Sequence, residues 1–226
     1  MPKSPLTYLT EALSMDDILN NIPSAIKGSN LLYRSFYKSY SKLRDFGMTT
    51  VVKDRTPVDT PIEIHNMFDK YFKAKFGVEP RKNSLFCSKS LKVARHYADN
   101  VDDVYIIIPL GSEVKYAYSK KILDFFHAMI DITFDELCEQ WDVIPSISVD
   151  KALNDITKTK DKKLYNKVLP DIEKVVEKMV DSYKMTTDLS SVPMTGEVMV
   201  LCEDFYYINL MEIDEDDVKT YGDLLQ

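Results

Sequence analysis

Apolar positions along the chain fall into short runs separated by polar or turn-forming stretches, and their spacing predicts an alternation of brief strands with longer helices. Ser14 is a candidate N-cap for a first helix, with Asp16 and Asp17 in the turn where negative charge is favoured. Leu31 to Tyr37 reads as a strand, apolar and aromatic on both sides of Arg34. The stretch VVKDRTPVDTP is a loop that ends in a helix start: Thr60 as N-cap, Pro61 at the first helical position and Glu63 completing a capping box. Ile64, Phe68, Tyr71, Phe72 and Phe76 then recur at three- and four-residue intervals, and Gly77 supplies the stop.

Ser84 to Cys87 is a short strand, after which Ser88 or Ser90 can cap a helix that carries Val93, Ala94 and Tyr97. Val104 to Pro109 is a strongly apolar strand, followed by a turn at Gly111 and a weaker strand from Val114 to Tyr118. From Ser119 to Lys184 the pattern is mostly helical. Thr133 and Glu136 form a second capping box, and Tyr165, Val168, Leu169, Ile172, Val175, Val176, Met179 and Tyr183 keep one stripe across Pro170, as one kinked helix or two abutting ones. Glu197 to Cys202 and Phe205 to Leu210 then read as a hairpin around Glu203 and Asp204, and residues 214 to 217 open an acidic tail.

A chain of 226 residues with 45% hydrophobic content is long enough to bury a substantial core. Its formal charge of -7 argues against a nucleic-acid-coating role, which depends on an excess of Lys and Arg. Cys87, Cys138 and Cys202 lie far apart and read as buried free thiols, and the scattered His65, His96 and His127 do not form a metal-ligand spacing. No signal peptide and no run of membrane-spanning length is visible, so the expectation is a soluble cytoplasmic protein with no membrane partner and no metal.

Three polar groups stand out against this apolar background: Arg34 in LLYRSF, Ser88 and Ser90 in LFCSKS, and Glu197 in GEVMVLC. A base, a hydroxyl and a carboxylate at strand ends are what a protein needs to hold a dinucleotide by its phosphate and to stabilise positive charge at an anomeric carbon. Each also has a plainer explanation. Arg34 can pair with a core carboxylate, the serines can cap a helix, and Glu197 can face water at a strand end.

In this order, these pieces resemble the arginine-serine-glutamate branch of the mono-ADP-ribosyltransferases. The matching residues are Tyr33-Arg34-Ser35, Phe86-Cys87-Ser88-Lys89-Ser90 with Ala94 and Tyr97 downstream, and Glu197 opening the strand Val198 to Leu201. The resemblance spans roughly Leu31 to Leu210. It implies an α+β fold with two small, mainly antiparallel sheets forming a cleft and a helical insert at about 120 to 186. An N-terminal helical segment over 1 to 30 would precede that domain, which covers 31 to 210, and an acidic tail over 211 to 226 would follow it. The insert would act as a lid or partner surface beside the cleft, or cover one sheet edge.

Residue by residue, the resemblance implies that Arg34 contacts the NAD phosphate and nicotinamide ribose, that Ser88 holds Glu197, and that Glu197 accepts a hydrogen bond from the ribose 2'-hydroxyl. Ser90 and Tyr97 would complete the NAD-binding set, with NAD as substrate. One position departs from the family pattern: Thr195 stands where transferases acting on protein side chains usually carry Glu or Gln. That leaves open an NAD glycohydrolase, a transferase with an unusual acceptor, or a nucleotide-binding protein without turnover. The segment KDRTPVDTPIEIH is also similar to uncharacterised proteins of tailed bacteriophages, which implies either a phage-encoded enzyme acting on a host protein or a noncatalytic virion-associated protein with other virion proteins as partners.

Overall fold

The computed structural model describes residues 18, 30–36, 45–56, 62–98, 103–122, 133–145, 147–148, 151 and 162–212. Apart from Ile18, which is helical and buried, the expected helix after Ser14 lies outside these, as do the cap at Thr60 and Pro61, His127 and the acidic tail from residue 214. Among the described residues the fold is mixed α and β, with two four-stranded sheets. The chain divides into two compact units. The first comprises residues 1–53, 83–118 and 185–226, and the second comprises 54–82 and 119–184.

In the first unit, β1 (Leu32–Ser35), β4 (Val104–Leu110), β8 (Asp204–Asn209) and β2 (Phe46–Thr50) form one sheet in that order. Its strands pair antiparallel: Arg34 faces Tyr105, Ile108 faces Tyr206 and Gly47 faces Tyr207. The second sheet runs β3 (Leu85–Cys87), β7 (Val198–Leu201), β5 (Lys115–Ser119) and β6 (Tyr183–Thr186). Alternate residues of both sheets share an apolar core, including Leu32, Ile107, Leu85, Cys87, Tyr116, Val198, Val200 and Ile208. Burial of these side chains, each contributing on the order of 1.5–3 kcal/mol, is what sets the strand register.

Two expectations are corrected here. Val198–Leu201 and Asp204–Asn209 are not a hairpin, because β7 pairs with β3 and β5 while β8 pairs with β4 and β2 in the other sheet. Val198, Met199 and Val200 are all buried, as suits a strand with neighbours on both sides, and Cys202 and Glu203 carry the chain between sheets. The second correction concerns Tyr183, which continues the apolar stripe in sequence but lies in β6, beyond the helix end at Asp181.

Strand β2 was not anticipated at all. Its glycine is a weak strand former, yet a Cβ at Gly47 would stand 2.6 Å from the Tyr207 hydroxyl, so the tyrosine ring occupies the space a larger residue would need.

In the second unit, α1 (Ile62–Phe76) packs on α5 (Lys162–Asp181). Phe68 and Phe72 are fully buried and meet the edge of Tyr183 at 5.4 and 5.5 Å. The α5 helix is continuous through Pro170, and α4 (Phe134–Gln140) starts with the expected reciprocal capping box of Thr133 and Glu136. Gly77 ends α1 with φ of 76°, a left-handed conformation that glycine adopts without strain.

A short helix that sequence periodicity could not reveal, α2 (Pro80–Asn83), is capped from a distance. The buried Asp69 carboxylate on α1 accepts the Arg81 and Lys82 backbone N–H groups at 2.8 and 3.1 Å. One turn earlier on α1, the equally buried His65 brings Nε2 to 3.9 Å from Asp69, and neither of its ring nitrogens has a hydrogen-bond partner among the described residues.

Candidate functional site

The residues singled out in sequence are carried by the first unit. Arg34 sits on β1 between Leu32 and Phe36, positions that alternate onto one face of the strand. Its guanidinium donates from Nη1 to the Phe86 carbonyl of β3 at 2.6 Å and lies 5.0 Å from the centre of the Phe36 ring. A charged hydrogen bond and a cation-π contact thus compensate a half-buried arginine.

Ser88 follows β3 directly and is itself buried. Its backbone exchanges two hydrogen bonds with Tyr33, at 2.7 and 2.9 Å, so the residue beside Arg34 is bridged to the serine motif. The Ser88 hydroxyl accepts the Ser90 backbone N–H at 3.1 Å, and the Ser90 hydroxyl accepts the Val93 N–H as N-cap of α3 (Leu91–His96). Capping therefore accounts for Ser90, as its plainer reading proposed.

Glu197 immediately precedes β7. The last register pair of β3 and β7 is Cys87 with Val198, so the next facing positions in that antiparallel register are Ser88 and Glu197. Alternation turns both to the side of the sheet opposite Cys87 and Val198. Glu197 is half-buried, with Oε1 out of contact with solvent. Gly196 before it has φ of 100°, which disfavours any residue with a Cβ and holds the bend that aims the carboxylate.

The electrostatics agree with this gathering. Burial pushes the Cys87 thiol up to about 12, Arg34 acts to lower it, and Cys202 and Glu197 raise it further. Cys87 thus lies within the fields of both the arginine and the glutamate, and its thiol stays protonated at neutral pH, unsuited to act as a nucleophile. Cys138 and Cys202 are likewise buried thiols.

Tyr97 is the C-cap of α3, with its ring edge-on to His96 at 5.7 Å, and α3 lies against β1. Thr195 is exposed. Among the described residues no group of three or more His, Cys, Asp or Glu side chains is placed to hold a metal ion, and no helix is long and apolar enough to cross a membrane.

Sequence reasoning passed over Lys89, which sits inside the serine motif and is 4% exposed. Its ammonium donates to Asn30 Oδ1 at 3.0 Å, the Leu189 carbonyl at 3.2 Å and the Val192 carbonyl at 3.1 Å. The available signal was a lysine inside a predicted strand-to-helix junction, where a buried charge must find partners. The chain matches no protein-family model, no curated protein and no solved structure.

Proposed function

We propose that this protein cleaves the nicotinamide-ribose bond of NAD as a mono-ADP-ribosyltransferase-like enzyme. The observation that carries the reading is the strand register that leads from Cys87 and Val198 to Ser88 and Glu197, with Arg34 bonded to the adjacent Phe86 carbonyl. Arg34 and Glu197 are each half-buried, and they supply a cation suited to phosphate and a carboxylate suited to a ribose hydroxyl. The two sheets and their connecting bridge at Tyr33 and Ser88 are compatible with the fold expected from the resemblance.

In this reading Arg34 binds the phosphate and orients the nicotinamide ribose, and Ser88 fixes Glu197. The carboxylate accepts the ribose 2'-hydroxyl proton in a hydrogen bond. As the bond to nicotinamide lengthens, positive charge develops at the anomeric carbon, and a fixed anion stabilises that state more than the ground state. Nicotinamide leaves with the bonding pair, and an acceptor nucleophile then attacks the sugar carbon. With Thr195 where the family carries an acceptor-engaging Glu or Gln, water or an unusual protein acceptor fits that second step. A phage-encoded enzyme acting on a host protein is the corresponding biological setting.

Arg34→Lys tests the binding role. An ammonium keeps the charge but not the planar fork, so KM for NAD should rise about tenfold or more, with kcat for nicotinamide release falling less. Unchanged KM would remove Arg34 from the phosphate.

A further inference from the structure

We infer that Lys89 is a positioning residue whose buried ammonium locks the segments carrying Arg34, Ser88 and Glu197 in register with one another. The inference rests on the NAD-cleaving reading of the site and adds to it a group that touches none of the reacting atoms. Three N–H donors of one ammonium meet three acceptors at 3.0 to 3.2 Å, the full complement for a lysine. Those acceptors lie on different segments. Asn30 leads into the strand of Arg34, while Leu189 and Val192 belong to the turn that leads to Glu197. Lys89 itself follows Ser88.

The acceptors are neutral, so this is a clamp of directed hydrogen bonds and not an ion pair. The ammonium meets the carbonyl of Leu189, which opens the turn over Leu189–Ser191 and also accepts the Val192 N–H at 3.2 Å, and the carbonyl of Val192, which closes it. Asp188, whose field also reaches Lys89, is occupied in capping the other end of the same turn, accepting from the Ser190 N–H and hydroxyl at 2.9 and 2.6 Å. Both ends of the turn are therefore fixed, and Val192 joins the buried core at 3% exposure. Without the ammonium, the Leu189 and Val192 carbonyls lose a buried donor and Asn30 loses its tie, so the approach to Glu197 gains freedom. A displacement on the order of 1 Å at a catalytic group costs about 10²-fold in rate.

Lys89→Met keeps the length and apolar stem but removes every donor, and Lys89→Arg keeps charge and donors. The two are compared with the wild-type chain by amide hydrogen exchange, urea unfolding and steady-state nicotinamide release. For Lys89→Met the expected result is exchange faster by about tenfold or more over residues 189–196, with protection in β4 and β8 kept. The same variant should show kcat lower by roughly 10- to 100-fold and KM for NAD changed less than about threefold. Lys89→Arg should fall between the two, and it carries the test if Lys89→Met does not fold.

Unchanged exchange over 189–196 would overturn the clamp. Faster exchange there with kcat intact would overturn the positioning role and leave a structural contact. A wild-type chain that leaves NAD intact would remove the reaction reading together with any catalytic role for Lys89, and the exchange data would then decide the clamp alone.

Discussion

Glu197→Gln is expected to lower nicotinamide release by roughly 10²-fold or more while leaving folding and KM for NAD nearly unchanged. Glutamine keeps the size and most of the hydrogen bonding of the side chain but removes the charge, and charge is what an oxocarbenium-like transition state requires. The fold should tolerate the change, because Glu197 is only half-buried and the strand it precedes is held by Val198, Met199 and Val200. Equal rates for the variant and the wild type would assign the chemistry elsewhere.

Asp69→Ala is expected to destabilise the protein by about 3 kcal/mol, the cost of removing a charged acceptor from two backbone donors, and to lower Tm by about 6–12 °C. The variant strips the cap from α2 and leaves the cationic Arg81 and Lys82 without the carboxylate they surround.

The pH dependence supplies a second reading of the same pair. Burial, then the charges of Arg81, Lys82 and Arg55, pull the His65 imidazole from 6.5 down to about 4. The unfolded chain therefore takes up this proton first, and the stability His65 contributes above pH 6.5 is lost as pH falls toward 4. Asp69 works in the opposite sense. Burial raises its carboxyl from 3.8 to about 6 against the backbone donors of Arg81 and Lys82, so the folded state protonates first and stability is regained as pH falls from 6 to 3.8. Asp69→Ala removes the compensating half and should lose stability more steeply than wild type between pH 6.5 and 4. His65→Leu, which exchanges an imidazole without hydrogen bonds for an apolar group, should flatten that loss. Urea unfolding at a series of pH values checks both. A variant lacking Asp69 that keeps wild-type stability and slope would show the pair to be inert.

Much of the fold was legible because local signals and burial agree. Gly77 ends its helix, Thr133 and Glu136 form their box, and the apolar run Val104–Leu110 pairs on both sides as β4. What stayed hidden depends on contacts between distant residues. Phe46–Thr50 becomes a strand because Gly47 accommodates the Tyr207 ring, and Pro80–Asn83 becomes a helix because Asp69 caps it. Glu203 with the preceding Cys202 looks like a hairpin turn by spacing, and only the pairing of β8 with β4 and β2 reveals a crossing between sheets.

The candidate site was legible in the same uneven way. Arg34, Ser88 and Glu197 are conspicuous as polar groups beside apolar runs, and Ser90 has the local grammar of a cap. The bridge from Ser88 to Tyr33 and the three acceptors of Lys89 come from segments on the order of 55 to 100 positions away, and no local pattern encodes them.

The most direct test of the proposed chemistry is incubation of the wild-type protein with NAD labelled separately in its nicotinamide and its adenosine, alone and with candidate acceptor proteins. The prediction is release of labelled nicotinamide, with the adenosine label appearing either as free ADP-ribose or bound to protein. NAD that remains intact under every condition would contradict the account and leave a noncatalytic protein on this scaffold.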